Sequence, residues 1–136
     1  MTATMCSPIT TLIVDDQDDI RLLLRLLIEA ANDGLTVVGE AANGPDALAQ
    51  VAEVEPCVIV FDEMMPEMTG VEAARRIRET RPSQITILCS AYLDNDVIER
   101  ARAAGMNGWL AKEQITELPD LIRQLVHDHY QGAAEV

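Results

Sequence analysis

The stretch Cys57-Val58-Ile59-Val60-Phe61-Asp62-Glu63-Met64-Met65-Pro66-Glu67-Met68-Thr69-Gly70 sets five apolar residues in a row and then turns acidic. A strand with one wet face alternates apolar and polar residues. One covered on both faces does not, and that is the signature of a parallel sheet held between helices. Cys57 to Phe61 is such a strand, and its carboxyl end presents Asp62 at an edge of the sheet. Pro66 and Gly70 give the following loop a specific spacing before a helix over about 71–80.

Outward from this point the same alternation repeats. Thr11 to Val14 is a short β-branched run ending in Asp15-Asp16. Asp18 is placed to cap a helix whose apolar positions Ile20, Leu23, Leu24, Leu27 and Ile28 have helical spacing. Leu35 to Ala41 is a weaker strand, since it holds Gly39 and Glu40. Asn43-Gly44-Pro45 opens a helix with Ala47, Leu48 and Val51 as its inward stripe. Ile85 to Cys89 is a fourth strand ending at Ser90. Residues 94–104 are helical, with Val97, Ile98 and Ala101 inward. Gly108 to Ala111 is a last short strand ending at Lys112, and Leu118, Leu121, Ile122, Leu125 and Val126 mark a final helix. Strands alternating with helices mean an α/β fold, a three-layer sandwich with a parallel sheet. The Leu35 and Gly108 strands look like edges, which gives the flavodoxin-like (βα)5 order 2-1-3-4-5.

The 136 residues suit one domain, taken as 9–130 with short flexible termini at 1–8 and 131–136. A net charge of −13 disfavours direct binding to nucleic acid or an anionic membrane. No apolar run reaches the roughly 18–20 residues of a membrane span, and Met1 to Pro8 lacks the features of a secretory signal. The three cysteines, Cys6, Cys57 and Cys89, are expected to be reduced core residues and not a disulfide framework, which points to the cytoplasm.

In an open parallel sheet ligands bind beyond the carboxyl ends of the strands, where the strand order reverses. Those ends deliver Asp15, Asp16, Asp62, Ser90 and Lys112 to one rim. Close carboxylates repel unless a cation or protonation relieves them, and a hard divalent ion does so. A rim carboxylate can attack phosphorus to form an acyl phosphate, with neighbouring charge doing most of the catalytic work.

Residues 9–130 resemble the receiver domains of two-component response regulators. The likeness rests on Val14-Asp15-Asp16, on Asp62 through Gly70, on Cys89-Ser90-Ala91 and on Gly108-Trp109-Leu110-Ala111-Lys112. It implies that Asp62 is the phosphoacceptor. Asp15, Asp16, Asp62 and the Met64 backbone carbonyl would hold Mg²⁺ or Mn²⁺. Ser90 and Lys112 would contact the phosphoryl group, and Trp109 would be the switch aromatic that follows Ser90. Met64 and Tyr92 flank the site as tuning residues. The donor would be a histidine kinase or histidine phosphotransfer protein.

The face of the fourth helix, fifth strand and fifth helix would be read by a downstream protein, an output domain of the same protein or a second copy. Val38 to Gly44 and Ile122 to Val126 look like receivers attached to helix-turn-helix transcription factors of the NarL type. The Met1 start favours a single-domain regulator, with the receiver of a longer transcription factor as the alternative. Such a domain is not a turnover enzyme. The outside rival is an Asp-nucleophile phosphatase, which needs a second Asp where this chain has Met64. His127 and His129 lie on different helix faces and make a poor metal pair.

Overall fold

A computed structural model describes residues 6–31 and 34–134. Of the expected termini at 1–8 and 131–136, residues 1–5 and 135–136 lie outside the described residues. The strands are β1 (Ile9–Val14), β2 (Leu35–Ala41), β3 (Val58–Phe61), β4 (Ile85–Ser90) and β5 (Gly108–Ala111). The helices are α1 (Asp18–Ala30), α2 (Gly44–Val54), α3 (Gly70–Thr80), α4 (Asn95–Ala103) and α5 (Leu118–Ala134), with a 3₁₀ segment Lys112–Glu117 before the last. All strand pairs are parallel and the order is β2-β1-β3-β4-β5, as the apolar patterns predict.

Because successive side chains of a strand point to opposite faces, the sheet feeds two cores. Leu12, Val14, Ile59, Phe61 and Leu88 pack with residues of α2, α3 and α4. Ile13, Val58, Val60, Ile85 and Ile87 pack with Leu24 and Ile28 of α1 and with Leu118, Ile122 and Val126 of α5. β3 is buried along its whole length. β2 slips register between its pairs with Thr11 and Leu12, leaving Val38 out of step and exposed. Its unpromising Glu40 takes both Arg21 at 3.2 Å and Arg25 at 2.6 Å from α1.

Three expectations are corrected. Cys6 and Cys57 are joined in a disulfide, which ties the segment before β1 to the entry of β3; β3 starts beside that segment, so residues 51 apart in sequence meet. Leu23 is exposed with Leu22 and Leu26, because the inward stripe of α1 is completed by Leu24 and Ile28. The cap of α1 is Gln17, whose N–H donates to Asp15 Oδ1 at 2.9 Å, while Asp18 sits in the first turn and pairs with Arg21. Helix α5 runs to Ala134. None of the described helices is long and apolar enough to cross a membrane.

Candidate functional site

The rim is built from backbone pairing. The Asp15 N–H donates to the Ala41 carbonyl at 3.0 Å and the Asp62 N–H to the Val14 carbonyl at 2.8 Å, so the ends of β2, β1 and β3 are stitched together. Asp15 and Asp62 are buried and Asp16 is exposed, yet one carboxylate oxygen from each lies within 4.8 Å of the others. Lys112, just past β5, bridges the pair, with Nζ 3.1 Å from Asp15 Oδ2 and 3.2 Å from Asp62 Oδ1. Arg21 Nη1 donates to the Asp15 carbonyl at 2.6 Å and fixes the loop from behind.

Burial raises the Asp62 pKa above the usual carboxylate range, the Asp15 charge adds to this, and Lys112 opposes it. Burial works against the Lys112 ammonium, but Asp15 and Asp62 outweigh it and leave its pKa raised. The free thiol of Cys89 is pushed up to about 11 by burial, which leaves it unreactive at neutral pH. The acidic trio offers only oxygen, partly wet and partly dry, which is the donor set of a hard divalent cation and unlike the thiolate and imidazole sites of softer metals.

The loop after Asp62 explains the spacing of Pro66 and Gly70. Met68 N–H donates to the Pro66 carbonyl at 2.8 Å, closing a tight turn with Glu67 at φ 74°, a left-handed conformation that costs a side-chain-bearing residue on the order of 1–3 kcal/mol. Gly70 then opens α3 so close to the loop after β3 that a Cβ there would lie 2.3 Å from the Asp62 carbonyl oxygen. Thr69 caps the helix by accepting from the Glu72 N–H at 3.1 Å.

The remaining candidates are less engaged. Ser90 is fully buried at the end of β4, where its hydroxyl donates to the Tyr92 carbonyl at 3.2 Å and accepts from the Tyr92 N–H at 3.3 Å. Trp109 is half-buried against the α2–α3–α4 core, with the Arg102 guanidinium 5.2 Å above its ring. Met64 and Tyr92 are largely exposed beside the loops of the rim, and His127 is exposed on α5 and is not part of the Asp15, Asp16 and Asp62 group. Sequence reasoning passed over Glu63 and Arg100, which pair at 3.0 Å across 37 residues. A charge directly behind Asp62, at the end of an apolar run, was the one available signal.

The chain matches the family model of the response regulator receiver domain over residues 11–123. It is 42% identical over 106 residues to the transcriptional regulatory protein YdfI of Bacillus subtilis, covering 78% of this chain and 49% of that protein. The chain therefore spans about half of that relative's length. It is 36% identical over 101 residues to the chemotaxis protein CheY of Thermotoga maritima, covering 74% of this chain and 82% of that one. Among solved structures, a two-component response regulator of the LuxR family from Aurantimonas superposes with a TM-score of 0.83 at 28% identity, covering 88% of this chain and 85% of that one.

Proposed function

The chain belongs to the response regulator receiver domain family, and from that premise we propose that it is a phosphorylation switch whose acceptor is Asp62. The observation that carries this is the bridging of Asp15 and Asp62 by Lys112 at the point where the strand order reverses. A carboxylate oxygen of Asp62 attacks the phosphorus of a phosphohistidine. The new O–P bond forms as the P–N bond breaks, and the imidazole nitrogen leaves with the electron pair. The nucleophile is already ionised when it reacts, so no general base is needed.

The ammonium of Lys112 sits within ion-pair reach of the acceptor and balances the charge brought by the phosphoryl oxygens. Asp15, Asp16 and Asp62, with the Met64 carbonyl, are the groups that would hold Mg²⁺ or Mn²⁺, and that ion would supply further neutralisation of the phosphoryl oxygens. Ser90 exchanges its bonds to Tyr92 for one to a phosphoryl oxygen, and Trp109 follows the rearranged β4–α4 loop. Met64 and Tyr92 screen the acyl phosphate from water. The donor is a histidine kinase or a histidine phosphotransfer protein, and the output leaves through the α4–β5–α5 face.

The recipient has two readings. Likeness to CheY supports a regulator that acts on a separate protein. The 42% identity to YdfI, of which the chain spans about half, supports the receiver of a longer transcription factor. Reading the coding frame beyond codon 136 separates them. The acceptor role itself is tested by incubating the protein with Mg²⁺ and acetyl phosphate and measuring the intact mass. One added phosphoryl group is expected on the wild type and none on Asp62→Ala; equal labelling of both rules the acceptor out. Trp109, the sole tryptophan, should change its emission on phosphorylation.

A further inference from the structure

Helix α4 reaches back to the acceptor loop through one side chain. Glu63 directly follows Asp62, and its side chain is only 4% exposed, whereas Arg100 on α4 is 46% exposed. Glu63 Oε1 accepts from the Val71 N–H in the first turn of α3 at 2.9 Å, and Oε2 meets Arg100 Nη1 at 3.0 Å. The Glu63 carbonyl accepts from the Gly70 N–H at 3.1 Å. Arg100 is held in turn by Asp96, whose Oδ2 accepts from Nε at 3.2 Å.

Surface ion pairs carry little, but a carboxylate this dry is costly without its counter-charge. Three further carboxylates lie along the same rim. The backbone in between has no slack either: a Cβ on Gly70 would already stand 2.3 Å from the Asp62 carbonyl oxygen. A displaced Glu63 is therefore felt at Asp62 and not absorbed by the loop.

We propose that Glu63 and Arg100 form the positioning link between α4 and the acceptor: Glu63 sets Asp62 against α3, and Arg100 makes that placement depend on where α4 lies. Coupling of this kind is reciprocal. Phosphorylation that moves the loop loads the pair and shifts α4, and a partner that holds α4 sets the reactivity of Asp62. Two residues on, Arg102 covers Trp109, so the same helix also carries the aromatic of β5. This link deepens the phosphoacceptor reading and rests on it.

The test compares Arg100→Met, Arg100→Lys, Glu63→Gln and the double variant Glu63→Gln/Arg100→Met with the wild type in two assays. The first is the rate of acetyl phosphate uptake with Mg²⁺. The second is amide hydrogen exchange at Val71 in the unphosphorylated protein. Arg100→Met is expected to slow uptake about tenfold or more, since a misplacement near 1 Å costs about a hundredfold, and to speed Val71 exchange about tenfold. Arg100→Lys should recover part of both, and the double variant should be no slower than the slower single. Arg75→Met, on the exposed face of α3, should leave uptake unchanged. Wild-type uptake and wild-type Val71 protection in Arg100→Met overturn the link, as do single effects that multiply in the double variant. A wild type that takes up no phosphoryl group overturns the acceptor role instead, and the exchange data still decide whether Arg100 holds the loop.

Discussion

Replacing Gly70 by alanine puts a methyl group 2.3 Å from the Asp62 carbonyl oxygen, 3.0 Å from its carbonyl carbon and 3.1 Å from Phe61 Cβ. Real Cβ contacts essentially never fall below 3.0 Å, so α3 and the acceptor loop must separate by at least the difference between 3.0 and 2.3, or 0.7 Å. The obstacle is backbone, which cannot turn aside. Overpacking of this kind costs about 1–3 kcal/mol. At roughly 3–4 °C per kcal/mol for a domain of this size, a mid-range cost lowers Tm by about 6–8 °C. The displaced residue is the proposed acceptor, and a shift approaching 1 Å costs about a hundredfold in rate. Thermal unfolding and acetyl phosphate uptake measure the two effects on one sample. Gly44→Ala is the control, because its Cβ would meet the Met68 sulfur at 2.6 Å, the end of a flexible side chain. A Gly70→Ala protein with wild-type Tm and wild-type uptake refutes the close approach as the reason for glycine.

Four more outcomes follow from the site and the sheet. The raised pKa of Asp62 means that its contribution to stability is full below the unfolded value of about 3.9 and is lost as pH rises through the folded one. Asp62→Asn should therefore melt above the wild type at pH 7, with the gap closing below about pH 4; a less stable variant at pH 7 contradicts the burial argument. Lys112 has the matching sign for a cation, full below its unfolded value of about 10.4 and lost above the folded one, so Lys112→Met should be less stable at pH 7 and converge with wild type at strongly alkaline pH. If the acidic trio binds Mg²⁺, a hundredfold excess over Kd stabilises the wild type by about 2.7 kcal/mol, and Asp16→Asn needs far more ion for the same gain; equal titrations remove Asp16 from the site. Cys6→Ser opens a cross-link spanning 51 residues and should cost about 2–4 kcal/mol in denaturant unfolding, with no loss under reducing conditions.

The fold was legible because burial writes itself along a strand. Cys57 to Phe61 lacks alternation since both faces are covered, and the strands judged to be edges are the edges. The rim was legible for the same reason, since each strand end names the residue it delivers. Contacts that join distant parts of the chain left no such trace. The Cys6–Cys57 bond needs residues 51 apart to meet, and nothing local marks Cys6 as their partner. Glu63 and Arg100 find each other only once α4 has packed beside the loop after β3. Leu23 misled because helical spacing alone does not say which of several adjacent leucines faces the core, and α1 shows Leu22, Leu23 and Leu26 outward. The Ser90 hydroxyl could be placed on the rim by sequence, but its bonds to the Tyr92 backbone depend on the loop conformation.

The central claim is that phosphorus becomes bonded to one particular carboxylate. Borohydride reduces an aspartyl phosphate to homoserine, and tandem mass spectrometry of the digested protein then finds the modified position. After incubation with Mg²⁺ and acetyl phosphate, the expected result is homoserine at position 62, absent without the donor and strongly reduced when the metal is chelated. Homoserine at position 15 or 16 instead, or no homoserine in protein whose mass shows a phosphoryl group, would contradict Asp62 as the acceptor.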